Sequence, residues 1–288
     1  QCIFTTHTPV PAGHDQFPLE LAAQTLGRQD IFEMRDVFSF DGILNMSHLA
    51  LNVSHYVNGV AKSHGEVSRR MFTGYNIDEI TNGVHGATWT AEPFQQLYDH
   101  YIAGWRQDNF SLRYALSIPR REVWKAHAVA KTLLLRQVQK ATGLAMSVDV
   151  LTLGFARRSA AYKRGDLLFA DLNRLRRIAS TIGPFQVVFA GKAHPQDERG
   201  KEVIRRIFEG MQALRNEVRI AYLENYDLDL GKMLTSGVDI WLNRPQPPLE
   251  DGGALGQTAH ARRADAALRH AQGRTRLPVA RLARVQVQ

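Results

Sequence analysis

The spacing of apolar residues changes character along this chain. From Val148 onward, four short apolar runs, VDVLTLGFA, FQVVFAG, VRIAYLE and VDIWLN, alternate with the amphipathic stretches DLLFADLNRLRRIAS, EVIRRIFEGMQALRN and LDLGKMLTSG. A run that stays apolar at successive positions suits a strand buried on both faces. Apolar residues every three or four positions suit one face of a helix. Their alternation predicts βαβ units and a parallel, doubly wound sheet. Ligands of such sheets gather beyond the carboxyl ends of the strands. FARRSAAYKR, FAGKAHP, LENYD and LNRPQPPLE all fall there.

Upstream the pattern is mostly helical. Residues 44–72 are apolar at helical spacing and predict two helices joined near Ser54–Asn58. A second helical region is expected from about Phe94 to Gly143, with Tyr98, Tyr101, Trp105 and Trp124 at core-like intervals. HTPVPAGHDQFP packs three prolines and one glycine into twelve residues, which predicts an ordered or functional loop. Residues 251–288 differ from everything before them, with nine Ala and seven Arg but no Phe, Trp, Tyr or Lys. Such a tail cannot offset the entropy of ordering and is expected to be disordered. A shifted reading frame or damaged coding end accounts for it better than a genuine basic tail.

Composition narrows the function classes. The chain has 288 residues and is 44% hydrophobic, enough for one large domain or two smaller ones. No apolar run approaches the roughly 20 residues needed to span a bilayer. It starts at Gln1, with neither an initiator Met nor a signal peptide, and reads as truncated at both ends. The single Cys2 excludes an internal disulfide framework and fits a reducing, cytoplasmic setting. The net charge is +8, but +5 of it lies in the tail and only +3 in the first 250 residues. A basic tail alone gives non-specific affinity without base readout, so nucleic-acid binding is set aside.

The candidate chemistry centres on LGFARRSAAYKRGDLL, where Arg157, Arg158, Lys163 and Arg164 interrupt two apolar runs. This is either a solvated basic loop or a site for more than one phosphate. A strand end followed by a helix start would offer unpaired N–H groups and a dipole that favours anions. Arg supplies a bidentate fork and Lys a mobile point charge. GKAHP repeats the design with Lys192 and His194, while His7 and His14 bracket the proline-rich loop. His48, His55 and His64 are expected on helices as hydrogen-bonded structural residues. No Cys or acidic cluster completes a metal site. Glu250, Asp197 and Glu224 sit on separate loops, and neither G-x-x-x-x-G-K-[ST] nor G-x-G-x-x-G occurs. Cations without a carboxylate pair suit a reaction in which phosphate itself is acid and nucleophile.

Six segments in order, FTTHTPVPAGHDQF, NMSHLALNVSHYVNGVAKSH, ITNGVHGATW, LGFARRSAAYKR, FAGKAHP and LENYDLDLGKML, closely resemble α-glucan (glycogen and maltodextrin) phosphorylases, most nearly the shorter bacterial branch. The resemblance runs from Cys2 to Glu250. It implies an α/β fold of the GT-B-like, double-Rossmann glycosyltransferase type, truncated here. Residues 1–82 would end the N-terminal domain, 83–147 form a helical connection, 148–250 begin the C-terminal Rossmann-like domain, and 251–288 make the aberrant tail. It implies that His7 and Asn82 bind the glucosyl 6-hydroxyl, that Tyr162 contacts the same sugar and that Glu250 bonds its 3-hydroxyl. Arg158 and Lys163 would hold the substrate phosphate, and Arg157 would lie beside the phosphate of pyridoxal 5′-phosphate. The implied partners are α-1,4-glucan, inorganic phosphate and glucose 1-phosphate, with homo-oligomers among the full-length enzymes.

The departures from the family pattern follow Glu250. The resemblance implies a glycine-rich turn there and then the lysine that forms the cofactor Schiff base, but the chain continues DGGALGQTAHARRAD and has no lysine after Lys232. NRPQPPLE also alters the usual surround of the glutamate. The implied reaction is phosphorolysis of α-1,4-glucan with retention, and this chain is expected to be inactive alone. The rival expectations are a sugar-nucleotide-dependent glucan synthase of the same architecture and a non-catalytic glucan-binding remnant.

Overall fold

The computed structural model describes residues 2–10, 13–27 and 33–243. Glu250 and the tail at 251–288 lie outside the described residues. The described chain divides into two compact units, one ending at Gly83 and the other beginning at Val84.

The first unit runs β1 (Cys2–Thr6), β2 (Gln16–Pro18), α1 (Leu19–Leu26), α2 (Arg35–Phe38), β3 (Ser39–Phe40), β4 (Ile43–Asn45), α3 (Met46–Val53), β5 (Ser54–Gly59), α4 (Lys62–Met71) and β6 (Asp78–Glu79). Strands β1, β5 and β6 form a parallel sheet with β5 in the centre, and β2, β4 and β3 form a small antiparallel one. The two helices expected over residues 44–72 are present as α3 and α4, but they are joined by a strand. SHYVNG pairs parallel with β1, Phe4 opposite Val57 and Thr6 opposite Gly59, after a shift of register between Cys2 and Ile3. Its last three residues are buried. Asn45 starts α3 by accepting the Ser47 and His48 N–H groups on its side chain, as an N-cap does. Gly59 is required where β5 passes α4, because a Cβ there would lie 2.9 Å from His64 Nδ1 and 3.0 Å from the Gly65 nitrogen. His55 consequently sits on a strand rather than a helix.

The second unit runs α5 (Gly86–Trp89), α6 (Glu92–Tyr101), a 3-10 segment at Asn109–Ser117, α7 (Arg120–Thr142), β7 (Leu151–Ala156), α8 (Leu172–Thr181), β8 (Phe185–Ala190), α9 (Glu198–Ala213), β9 (Arg219–Leu223), α10 (Leu228–Gly237) and β10 (Ile240–Trp241). Its four strands are parallel in the order β10, β7, β8, β9. All six residues of β8 are buried. Alternate side chains serve opposite faces: Val188 and Ala190 join Leu134, Val138 and Leu234 in one core, while Val187 and Phe189 join Leu175, Val203 and Ile207 in the other. This two-faced burial is why the strands read as nearly continuous apolar runs.

A third cluster packs α6 on α7, with Phe94, Tyr98, Ile102 and Trp105 inside. The expectation that Tyr101 and Trp124 share that core fails. Phe94 and Tyr98 occupy the inward stripe of α6, continued by Ile102 just past its end, which leaves Tyr101 at the rim against His100. On α7 the inward positions are Val123, Ala126 and Ala130, so Trp124, one residue round the helix from Val123, is 55% exposed.

Candidate functional site

The cation-rich loop begins where β7 ends. The Arg157 N–H donates to the Ala190 carbonyl at 3.3 Å, and the Ser159 N–H donates to the Lys192 carbonyl at 2.8 Å. The Ser159 hydroxyl donates to the Gly200 carbonyl at 3.1 Å. These bonds fix the loop against the exit of β8 and the first turn of α9. Two glycines permit the approach: a Cβ on Gly191 would lie 2.4 Å from the Arg157 oxygen, and one on Gly200 would lie 2.4 Å from the Ser159 oxygen. Tyr222 tightens the same corner, its hydroxyl donating to the Gly191 carbonyl at 3.1 Å. Burial, with Glu224 adding to it, pushes the Tyr222 phenol up to about 12.

Past Ser159 the chain makes a 3-10 turn at Ala161–Lys163, then Arg164 takes the left-handed conformation at φ 48°. A second 3-10 turn follows at Gly165–Ala170. The helix start expected directly after the strand is therefore not there. Helix α8 begins only at Leu172, capped by Asp171. The α9 terminus that faces the loop is capped by its own Asp197, which accepts the Gly200 N–H at 2.9 Å. Gly165 packs closely here, since a Cβ on it would lie 3.2–3.4 Å from Phe155, Ile207 and Val203. The positive field of this loop thus comes from its side chains, not from a helix dipole.

Arg158 is exposed, while Arg157, Tyr162 and Lys163 are half-buried. The Lys163 ammonium stands 4.7 Å from the centre of the Tyr162 ring, a cation–π contact that orders both side chains. Lys192 is exposed on the adjoining loop. Beyond β9, Asn225 turns the chain at φ 54° and Tyr226 packs against Gly231 of α10. Burial pushes the Tyr226 phenol up to about 12, opposed by the nearby Arg157 guanidinium and reinforced by Asp227. Arg157 and Tyr226 therefore share one neighbourhood at the carboxyl ends of the strands.

In the first unit, His7 follows β1 and Asn82 follows β6, both exposed at the carboxyl edge of the parallel sheet. The Asn82 N–H donates to the Val60 carbonyl at 3.0 Å, extending the pairing of β6 beyond its last strand residue. His14 fastens the proline-rich loop, with Nδ1 2.7 Å from the Ser47 hydroxyl and Nε2 3.0 Å from the Thr8 carbonyl. His48 meets the Tyr75 hydroxyl at 3.1 Å, and His64 accepts the Val60 N–H. The sequence-derived site residues thus form two groups: His7 and Asn82 on the first unit, and Arg157, Arg158, Tyr162 and Lys163 on the second. Glu250 lies outside the described residues. Sequence reasoning missed Tyr222 and Tyr226. Tyr226 belongs to LENYD and could have been singled out, whereas nothing in the pattern marks Tyr222.

The family model for carbohydrate phosphorylases matches residues 6–243. The chain belongs to the carbohydrate phosphorylase family. It is 38% identical to the maltodextrin phosphorylase of Thermococcus litoralis, in an alignment covering 89% of this chain and 34% of that protein. It is 35% identical to the glycogen phosphorylase of Aquifex aeolicus, over 89% of this chain and 43% of that protein. With the glycogen phosphorylase of Mycobacterium tuberculosis (strain H37Rv) the identity is 33%, over 88% of this chain and 34% of that one. This phosphorylase-family chain therefore spans well under half the length of these relatives. All the sequence-derived site residues except Glu250 lie within the matched range.

Proposed function

We propose that this chain carries the phosphate-handling part of an α-glucan phosphorylase, an enzyme of GT-B architecture that converts α-1,4-glucan and inorganic phosphate into glucose 1-phosphate with retention. The observation that carries the reading is the loop after β7, whose cations are anchored by backbone hydrogen bonds to the β8 exit. Arg158 and Lys163 would hold inorganic phosphate, with Arg157 beside the phosphate of pyridoxal 5′-phosphate. Two phosphate dianions about 5 Å apart repel by on the order of 10 kcal/mol at an effective dielectric near 20, so the site needs this density of cations. His7 and Asn82 would take the glucosyl 6-hydroxyl, Tyr162 the same sugar, and Glu250 its 3-hydroxyl. Cys2 is exposed and unpaired among the described residues, which suits a reducing, cytoplasmic setting.

The cofactor fits in one half only. Its phosphate suits the half-buried Arg157 beside Tyr226. Its aldehyde has no lysine to meet after Glu250, because none follows Lys232. When bound, pyridoxal phosphate supplies a phosphate group that exchanges a proton with the substrate phosphate, which is general acid catalysis without a protein acid. The missing lysine favours a second reading for the chain as it stands, a glucan-binding remnant without turnover.

The test compares two proteins supplied with pyridoxal phosphate, phosphate and maltoheptaose. The chain of 288 residues should release no glucose 1-phosphate above background, and borohydride should trap no specific pyridoxyl-lysine. A protein continued after Glu250 in the family's pattern should give both signals, and Arg158→Ala should lower its turnover at least ~100-fold, the scale of losing one charge-stabilising donor. Release that is insensitive to Arg158 would overturn the assignment.

A further inference from the structure

Strand β10 is only two residues long, Ile240 and Trp241, paired with Leu153 and Gly154 of β7. Two ladder pairs are a weak hold for the strand that leads the chain toward Glu250. The residue before it supplies more. The Asp239 N–H donates to the Thr152 carbonyl at 2.9 Å, and the Thr152 N–H donates to Asp239 Oδ2 at 2.7 Å. The carboxylate stands where a main-chain carbonyl would otherwise close the next step of the ladder.

Helix α7 holds that carboxylate from the other side. Lys131 Nζ donates to Asp239 Oδ2 at 2.6 Å and to the Val150 carbonyl at 2.8 Å, and His127 Nε2 lies 2.8 Å from Oδ1. Lys131 is only 4% exposed. Two further contacts fix the same crossing. The Leu242 N–H donates to the Gly154 carbonyl at 2.8 Å, and Gly154 lacks a side chain where a Cβ would lie 2.6 Å from Val238 Cγ1. A buried ionic cluster adds little net stability compared with apolar packing, yet it discriminates between registers, because any slip strands a buried charge.

We propose that Asp239, braced by Lys131 and His127, is a positioning clamp that sets the register of β10 on β7 and hence where the chain leaves the sheet beside the Arg157 loop. The site it positions is the one proposed above, and the register claim holds independently of what that site binds.

Amide hydrogen exchange on the full chain tests the clamp. In Asp239→Ala, protection of Thr152 and Leu242 should fall at least ~100-fold further than that of Val188 and Ala221 on the neighbouring β8–β9 pair. Asp239→Asn keeps an oxygen for the Thr152 N–H and should show a smaller selective loss, about tenfold. Leu175→Ala, a cut in the core away from the clamp, should lower all four amides together. If Asp239→Ala does not fold, Lys131→Met is read in the same way. Uniform loss in the clamp variants, matching Leu175→Ala, or no loss at all, would overturn the proposal. A second readout uses inorganic phosphate: amide shifts of Arg157 and Ser159 should persist in Leu175→Ala and weaken at least fivefold in Asp239→Ala. Persistence in both would also overturn it. If the unaltered chain shows no phosphate shifts, the functional reading fails while the exchange data still decide the clamp.

Discussion

Replacing Gly191 by alanine probes how tightly the cation loop is held. The added Cβ would lie 2.4 Å from the Arg157 carbonyl oxygen, against 3.4 Å for an ordinary contact, and the obstructing atom is backbone. The loops leaving β7 and β8 must therefore separate by about 1 Å, the difference between those distances. The Ser159–Lys192 bond, 2.8 Å in the unaltered chain, would stretch beyond hydrogen-bonding range. Overpacking costs about 1–3 kcal/mol, and the lost bond about 0.5–1.5 kcal/mol. Lower entropy of the unfolded alanine chain returns about 0.4–1 kcal/mol. The net expectation is a loss of roughly 0.5–4 kcal/mol in denaturant unfolding. Because the loop carries Arg158 and Lys163, phosphate affinity should also fall about 10- to 100-fold, the scale of a 1 Å misplacement. Gly83→Ala is the control, since its Cβ would meet nothing within 4 Å. Stability and phosphate affinity indistinguishable between the two variants would refute this account of the loop.

Lys131→Met leaves the buried Asp239 carboxylate without its ammonium partner and should cost about 3–5 kcal/mol in the same unfolding assay. Hydrogen bonds from His127 and Lys131 hold the Asp239 carboxyl below its ordinary value of 3.8 despite the opposing effect of burial. Its contribution is then fully present above that value and lost as pH falls through the lower folded one, so acid unfolding below about pH 4 should be steeper in the unaltered chain than in Asp239→Asn. Tyr222 and Tyr226 should ionise only near pH 12, read by ultraviolet titration. Their raised values mean that the folded state holds its protons longer, so their stabilisation is complete below pH 10 and declines above it. Phenylalanine at both positions should remove that alkaline decline.

The parts of this molecule that could be read from the sequence are those decided by short-range pattern. Strands β7 to β9 are packed on both faces, so LTLGFA, FQVVFA and RIAYL are mostly apolar, broken only by Thr152, the buried Gln186 and the exposed Arg219, and turns rich in Gly, Pro and Asn separate most of them from the helices. Strand β5 could not be read in this way. SHYVNG continues the helical spacing of its neighbours, and only pairing between β1 and β6 makes it a strand. The cations of the β7 loop stood out because four of them interrupt an apolar stretch. The helix expected beneath them is replaced by two 3-10 turns, the second opening at Gly165, which packs closely on Val203 and Ile207 of α9. The Lys131–Asp239 pair joins residues 108 apart, a separation at which no local spacing carries a signal.

The most direct measurement of the central claim is a titration of the 288-residue chain with inorganic phosphate, followed by amide chemical shifts at constant ionic strength. Saturable shifts are expected, confined to residues 157–163 and to Lys192 and its neighbours. The affinity should fall at least ~10-fold in Arg158→Ala and again in Lys163→Ala, as expected when one charge-assisted contact is lost each time. Shifts scattered over the basic surface, equal to those given by chloride and unchanged in both variants, would contradict it.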